Sequence, residues 1–123
     1  MPILDIEVVL AAKQAIDPSW AQSIADIVGD VLGTESGRTW VRLRALAPSQ
    51  YAEQGTEPPA TPHPIFVSIL QSHLPDLERK RQLAERLAHA IGRVCGRAHE
   101  NVHILWLPEG VERVAFGGAL LEG

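Results

Sequence analysis

The sequence predicts an α+β fold in which two consecutive βαβ units form a four-stranded sheet with both helices on one face. A strand, a helix and a second strand follow one another twice along the chain, at a nearly constant spacing. The chain has 123 residues, 46% of them hydrophobic, which is enough for one core. We therefore expect one domain over 1–123, with units at about 2–47 and 64–108 and a linker at about 48–63.

The first unit carries the signals of a strand, a capped helix and a second strand. Residues 3–10 are rich in Ile, Val and Leu with acids between them, which is typical of a strand with one buried face. Asp17 is a good N-cap and Pro18 suits the first helical position, and an apolar stripe then runs to Gly33. Residues 39–46 alternate between apolar and polar and predict the second strand.

The second unit follows a connector interrupted by several prolines. Residues 64–70 predict a strand, Asp76 can cap a helix that ends at Gly96, and residues 102–107 predict another strand. A βαβ crossover makes the two strands of each unit parallel. With both helices on one face, the other face of the sheet stays partly apolar and bare, and closure by a symmetric oligomer is the natural solution.

The two units represent a tandem duplication. Three landmarks repeat at similar intervals: Pro2 and Pro64 lie 62 residues apart, Gly33 and Gly96 lie 63 apart, and Trp40 and Val102 lie 62 apart. This repeat is too short to form a solenoid array. Because Pro64 is internal, its nitrogen is a tertiary amide without a basic lone pair. Only one of the two equivalent pockets can therefore use an amine base.

Composition narrows the class of partner and the compartment. The formal net charge of −4 comes from interspersed acids and bases, which disfavours a nucleic-acid surface or a polybasic membrane patch and leaves a small molecule as the expected partner. The single cysteine, Cys95, has no disulfide partner and falls among helical apolar positions, so we expect it in the core. With no signal peptide and no membrane-length apolar run, the expected location is the cytoplasm.

Pro2 is the strongest chemical candidate. Removal of Met1 would leave its secondary amine as the free N-terminus at the head of the first strand. An α-amino group has a pKa of roughly 8, and burial or a nearby cation lowers the pKa of an amine further, so this nitrogen can be a general base at neutral pH. A retained Met1 would abolish that role.

Other catalytic chemistries have little support in the sequence. The five histidines do not show the spacing of a metal site. There is also no Gly-rich phosphate loop and no Ser or Cys nucleophile motif. We therefore predict neither a metal nor a cofactor.

Together these features resemble the tautomerase superfamily, which includes 4-oxalocrotonate tautomerase, 5-carboxymethyl-2-hydroxymuconate isomerase, malonate semialdehyde decarboxylase and macrophage migration inhibitory factor. The resemblance covers nearly the whole chain. It depends on the Met-Pro-Ile opening (1–3), on the duplicated βαβ unit, and on the Val-Ala-Phe-Gly-Gly ending (114–118). It implies a C-terminal hairpin, a homotrimer, and Pro2 as proton carrier without a cofactor.

The resemblance also implies cations that hold a substrate carboxylate. His103 stands where the family often has an arginine, and Arg42 or Arg44 lies at or near that place in the first unit. Lys13 and His73 match the family's second cation only approximately. From the residues themselves, Arg42 and Arg44 share a strand face, and a guanidinium binds a carboxylate bidentately. A polar sheet face or subunit salt bridges are the alternative for both arginines.

Four further side chains are candidates for the site. Tyr51 follows the arginine strand and could donate to an enol oxygen or activate water, with interface packing as the alternative; Glu53 is a weaker candidate. His103 could hydrogen-bond a substrate carbonyl or be a structural histidine. We expect Phe116 in an apolar wall near a neighbouring Pro2, because such a wall excludes water and disfavours the charged amine.

The expected function is a cofactor-independent keto–enol tautomerase acting on a small 2-oxo or enol carboxylate. Pro2 would move the proton, while Arg42 or Arg44 anchors the carboxylate and polarises the developing enolate. Decarboxylase, hydratase or dehalogenase chemistry on the same scaffold is the alternative within catalysis. A non-enzymatic trimer used for binding or signalling is the alternative outside it.

Overall fold

The computed structural model describes residues 1–123 and has the predicted α+β class. Its elements are β1 (Ile3–Val9), α1 (Trp20–Leu32), β2 (Trp40–Leu46), β3 (Ile65–Leu70), α2 (Leu77–Cys95), β4 (Val102–Trp106), β5 (Ala115–Phe116) and β6 (Ala119–Leu120). One sheet has the order β2-β1-β3-β4, and β5 and β6 form a separate hairpin. Strands β1 and β2 are parallel, as are β3 and β4, while β1 and β3 pair antiparallel. The predicted sheet, helices and terminal hairpin are confirmed.

The core lies between the two helices and one face of the sheet. Alternate residues of the central strands β1 and β3 are buried there, and both helices contribute residues at helical spacing. The largest fully buried aliphatic side chains are Leu4, Ile6, Ile24, Ile65, Ile69, Leu87 and Ile91. Burial of one such side chain stabilises by roughly 1.5–3 kcal/mol, so this shared layer holds the two units together. Neither helix is both long and apolar enough to cross a membrane.

Helix α1 begins later than predicted. Its N-cap is Ser19 and its first residue is Trp20. Asp17 accepts hydrogen bonds from the backbone N–H and the hydroxyl of Ser19, at 2.8 and 2.7 Å, and so stabilises the turn in front of the helix. Pro18 therefore lies in that turn and not at the first helical position. Helix α2 begins as predicted, because the Asp76 side chain accepts a backbone hydrogen bond of the first turn at 2.8 Å.

The internal repeat has a spacing of 63 residues throughout. Both helices end at a glycine in the left-handed conformation, Gly33 and Gly96, each with φ 69°. The buried helix and strand residues repeat at the same interval. These buried pairs are Trp20 and Leu83, Ile24 and Leu87, Val28 and Ile91, Leu4 and Val67, and Ile6 and Ile69.

The spacing of 62 predicted for the strands is therefore wrong by one residue. Successive side chains of a strand point to opposite faces, so a shift of one would align the core residues of one unit with the exposed residues of the other. The corrected pairs are Met1 with Pro64, Pro2 with Ile65, and Trp40 with His103 in place of Val102. The internal proline is thus not the structural counterpart of Pro2.

Arg97 links both units behind the end of α2. Its guanidinium donates to the carbonyl oxygens of Val9 at 3.0 Å, His63 at 2.8 Å and Cys95 at 3.2 Å, and to the side-chain oxygen of Gln14 at 2.8 Å. Carbonyl dipoles, including one at the C-terminus of the helix, stabilise this cation in place of a carboxylate. The end of β1, the end of the linker and the end of α2 are thereby held at one point.

Two glycines that correspond in the repeat provide a test of this packing. A Cβ on Gly92 would lie 2.6 Å from the carbonyl oxygen of Arg97, whereas a Cβ on Gly29 would first meet the Thr34 hydroxyl at 3.3 Å. We expect Gly92→Ala to lower the free energy of unfolding by about 1–3 kcal/mol, because the backbone of residue 97 must move. Gly29→Ala is the matched control and should change it by less than about 1 kcal/mol. Urea denaturation followed by circular dichroism measures both, and equal effects would contradict the assigned contact.

Candidate active site

Pro2 lies at the edge of the sheet where β1 and β2 begin and β3 ends. It is buried, and its carbonyl accepts a hydrogen bond from the backbone N–H of Trp40 at 3.1 Å. On the face away from the helices, Ile3 pairs with Trp40 on one side and with Leu70 on the other. We call these four residues, Pro2, Ile3, Trp40 and Leu70, the Pro2 edge.

The C-terminal segment crosses the Pro2 edge. The Gly110 N–H donates to the carbonyl oxygen of Gln71, just beyond β3, at 2.8 Å. Further along, Phe116 packs edge to face against Trp40 on β2, with ring centroids 5.4 Å apart and planes at 89°. Because β1 lies between β3 and β2 in the sheet, residues 110–116 pass over the start of β1. We call this segment the strap.

The strap brings Phe116 to the Pro2 edge of its own chain. The sequence-based expectation placed this side chain near Pro2 of a neighbouring chain. Within one chain, Phe116 already contacts Trp40, whose backbone is bonded to Pro2. Two aromatic rings thus form an apolar wall at this edge, and such surroundings favour a neutral amine over a charged one.

Arg42 and Arg44 are paired with carboxylates of their own chain. Arg42 donates two hydrogen bonds to Asp5, at 3.1 and 2.7 Å, and Arg44 donates to Glu7 at 3.2 Å and to Asp5 at 3.4 Å. The arginine side chains are 71% and 59% exposed, so each pair stabilises by no more than about 1 kcal/mol. Two cations and two anions nevertheless cancel, so a substrate carboxylate that reached the free Nη1 of Arg42 or Nη2 of Arg44 would meet no net positive charge.

Tyr51 belongs to an aromatic cluster on the exposed face of the sheet. Its hydroxyl donates to Glu53 at 2.5 Å, and its ring lies 5.8 Å from that of Phe66. Phe66 in turn lies 5.5 Å from the ring of His103. The pKa of Tyr51 is raised from 10.0 to about 12, by burial and then by the hydrogen bond and charge of Glu53. Tyr51 is therefore a protonated donor at neutral pH.

The predicted site residues fall at two opposite edges of the sheet. Phe66, at the centre of the aromatic cluster, pairs with Glu7 of β1. Glu7 lies five residues along the strand from Pro2, a distance of about 17 Å. The predicted residues at or near that far edge are Lys13, Arg44, Tyr51 and His103. His73 follows β3 at the Pro2 edge and is exposed. Arg42 lies between the two edges, opposite Asp5. One chain therefore does not bring the predicted set together.

Sequence reasoning did not identify Trp40 as part of the wall beside Pro2. The parallel pairing of the first and second strands could have indicated it, because the first residues of two neighbouring parallel strands lie side by side. The sequence also did not predict the hydrogen bond between Tyr51 and Glu53, because that contact depends on how the linker folds. Cys95 is in the core as expected, and burial raises the pKa of its thiol to about 11, although Arg97 partly opposes the shift. It is therefore a poor nucleophile.

Comparison with known proteins gives a result for the fold alone. No protein-family model and no curated protein matches the sequence. Solved structures do match. The macrophage migration inhibitory factor of Trichinella spiralis aligns with TM-score 0.73 and 15% identity over 96% of this chain and 98% of that one. A fused 4-oxalocrotonate tautomerase (4-OT), solved as a symmetric trimer, aligns with TM-score 0.75 and 15% identity over 96% and 94%. The chain has the tautomerase fold.

A malonate semialdehyde decarboxylase shares the tautomerase fold as well. It aligns with TM-score 0.68 and 14% identity over 94% of this chain and 90% of that one. That enzyme was solved as the wild type and as a variant in which the first residue, a proline, is replaced by alanine, to explain its decarboxylase and hydratase activities. The alignments span both βαβ units, so the duplication is part of the shared tautomerase fold.

The single tyrosine of the chain allows a direct test of the cluster. We expect the Tyr51 absorbance near 295 nm to titrate with a pKa of about 12, and Glu53→Gln to move it back toward 10.0, since the carboxylate then no longer favours the protonated phenol. The stabilisation linked to this raised pKa is complete below pH about 10 and is lost as the pH rises toward 12. A native-state titration at 10.0 would contradict the Tyr51 to Glu53 contact.

Proposed function

We propose that this protein is a cofactor-independent keto–enol tautomerase of the tautomerase superfamily, acting on a small 2-oxo or enol carboxylate. The observation that carries the proposal is the place of Pro2, which is buried at the head of β1 in a tautomerase fold, beside an apolar wall of Trp40 and Phe116. The sharing of this fold with a decarboxylase studied through its first-position proline supports the same assignment.

The mechanism begins with removal of Met1, which frees the secondary amine of Pro2. The neutral amine takes a proton from the enol hydroxyl or from the carbon next to the carbonyl, and returns a proton to the neighbouring carbon or oxygen. Apolar surroundings lower the pKa of an amine, so the wall beside Pro2 keeps the nitrogen available as a base near neutral pH. A cation holds the substrate carboxylate during this transfer.

We further propose that the active unit is a homotrimer. On the sheet face opposite the helices, the exposed fraction is 62% for Leu105, 44% for Trp40 and 37% for Phe66. A partner surface on this face would bury these apolar side chains. The symmetric trimer of the fused 4-OT supports a second and third copy as that partner. Within one chain, the far edge of the sheet is too distant from Pro2 for its side chains to reach the same substrate. In such a trimer, the far edge of one chain can lie beside the Pro2 of another chain and contribute Tyr51, Lys13 and His103 to its site.

Hydration or decarboxylation on the same scaffold is the second candidate. The observation that favours it is the hydrogen bond between Tyr51 and Glu53, because such a pair can position and activate water. A protonated Pro2 would then be the acid. A trimer that only binds a partner is a further alternative, and activity that survives loss of the Pro2 amine would favour it.

Replacement of the proposed base gives the first test. Intact mass should show a mature chain that begins at Pro2, and Pro2→Ala should slow ketonisation of phenylenolpyruvate by at least ~100-fold, the scale of a positioned general base. Circular dichroism of the variant should match the wild type. Stable retention of Met1, or undiminished turnover in the variant, would remove Pro2 from the mechanism.

Two leucines of equal exposure test the trimer. Leu105 on the open sheet face is 62% exposed and Leu77 at the start of α2 is 63% exposed. We expect Leu105→Glu to dissociate the trimer, since a charge would be buried in the interface, and Leu77→Glu to leave it intact. Sedimentation velocity at micromolar concentration measures both. A wild-type monomer, or equal effects of the two changes, would contradict the proposed interface.

A further inference from the structure

The proposed reaction needs a cation for the substrate carboxylate, and the two strand arginines are poorly suited to supply it. Arg42 and Arg44 are already bonded to Asp5 and Glu7. A substrate carboxylate at either arginine would therefore meet a charge that is already balanced by Asp5 and Glu7, and would gain little free energy. A guanidinium with no internal carboxylate partner, close to Pro2, would bind it without that competition.

Arg113 meets this description. It is exposed, and its side chain forms no ion pair and donates no hydrogen bond within the chain. It is also the only arginine or lysine of the strap. The neighbouring acids do not neutralise it: Glu109 accepts the backbone N–H of Leu74 at 3.2 Å, and Glu112 forms no ion pair.

The turn at the beginning of the strap places Arg113 beside the end of β3, next to the start of β1. One end of the strap is held beside β3 by the bond from Gly110 to Gln71, and the other end by the packing of Phe116 on Trp40. Strands β3 and β2 lie on either side of β1, roughly 10 Å apart. The Gly110 carbonyl accepts hydrogen bonds from the N–H groups of Arg113 at 2.8 Å and Val114 at 3.0 Å, so residues 110–114 form a turn at the end of β3. A Cβ on Gly110 would lie 3.5 Å from the Leu70 side chain, and Leu70 pairs with Ile3, so this turn lies next to the first residues of β1.

Arg38 is a second unpaired arginine near this edge, just before the outer strand β2. It belongs to the turn between α1 and β2, in which Thr34 and Thr39 lie close to Gly29 of α1. The Trp40 indole N–H also donates to the Gly37 carbonyl of this turn at 3.1 Å, so the turn lies between α1 and Trp40 at the outer side of β2. Arg38 has the same chemistry and exposure as Arg113 but lies beside the outer strand and not on the strap, so it is the competing candidate that the experiment must separate from Arg113.

We propose that Arg113 is the residue that binds the substrate carboxylate beside Pro2, and that the strap thereby selects carboxylated substrates. This inference depends on the proposed function for its reaction but concerns binding, which is measurable separately. The planar guanidinium donates two parallel hydrogen bonds to the carboxylate, and Trp40 and Phe116 contact the apolar part of the substrate. Arg113→Lys retains the charge but loses the bidentate geometry.

The kinetic experiment compares phenylenolpyruvate with its methyl ester in the wild type, Arg113→Ala, Arg113→Lys and Arg38→Ala. We expect Arg113→Ala to raise KM for the carboxylate at least tenfold, with less than a twofold change for the ester, because the carboxylate is bound similarly in ground and transition states. Arg113→Lys should recover part of the loss. Arg38→Ala should behave as the wild type for both substrates.

A binding experiment makes the inference independent of turnover. Calorimetric titration of phenylpyruvate into the Pro2→Ala chain, with and without Arg113→Ala, should show at least tenfold weaker binding when the arginine is absent. The same loss for the methyl ester would indicate a structural role and overturn the assignment. Unchanged carboxylate binding in Arg113→Ala, or a loss found instead in Arg42→Ala or Arg44→Ala, would also overturn it.

The two proposals fail in different ways. If Pro2→Ala abolishes activity while Arg113→Ala leaves KM and binding unchanged, the proton chemistry stands and the assignment of Arg113 is wrong. If Pro2→Ala retains full turnover while Arg113→Ala weakens carboxylate binding, Arg113 is a carboxylate-binding residue and the proposed base is wrong.

Discussion

The antiparallel pairing of β1 with β3 is the constraint on which the rest of the structure depends. Each βαβ unit alone has two parallel strands and one helix, and would leave its apolar face open. The β1 to β3 register joins the units into one sheet, with Leu4 opposite Ile69 and Ile6 opposite Val67, so that both helices cover a common layer. The same register places the start of β1 beside the end of β3, and hence Pro2 beneath the segment that follows β4.

This arrangement makes the two edges of the sheet chemically different. At the Pro2 edge, Trp40 and Phe116 lie beside the buried Pro2, and Arg113 on the strap forms no ion pair. At the opposite edge, Arg97 is fully engaged by carbonyl groups, and Tyr51 and Glu53 form a short hydrogen bond. Between them the ladder of Asp5, Arg42, Glu7 and Arg44 is neutral as a set. The duplication therefore gave two similar frames in which Ile65 takes the place of Pro2 at the opposite edge.

Local sequence signals predicted which helices and strands form, but they predicted the first residue of α1 and the spacing of the repeat less well. Asp76 and the two helix-ending glycines are recognisable because capping depends on one or two residues. Asp17 looked equally good, yet its side chain bonds to the Ser19 next to it and the helix starts after both. The prolines suggested a spacing of 62, and only the alternation of buried side chains showed that the spacing is 63, because a slip of one residue reverses every strand face.

The sequence by itself determined the order of the elements, the α+β class and the resemblance to the tautomerase fold. It also determined that a proline stands at the head of the first strand. Each of these follows from local patterns of residues. Tertiary structure alone decided which side chains meet. Arg42 and Arg44 are paired with acids 37 residues away, and Phe116 contacts Trp40 through a chain path no local pattern records. Side-chain partners depend on strand order and on loop paths, and both are set by the burial of the whole core.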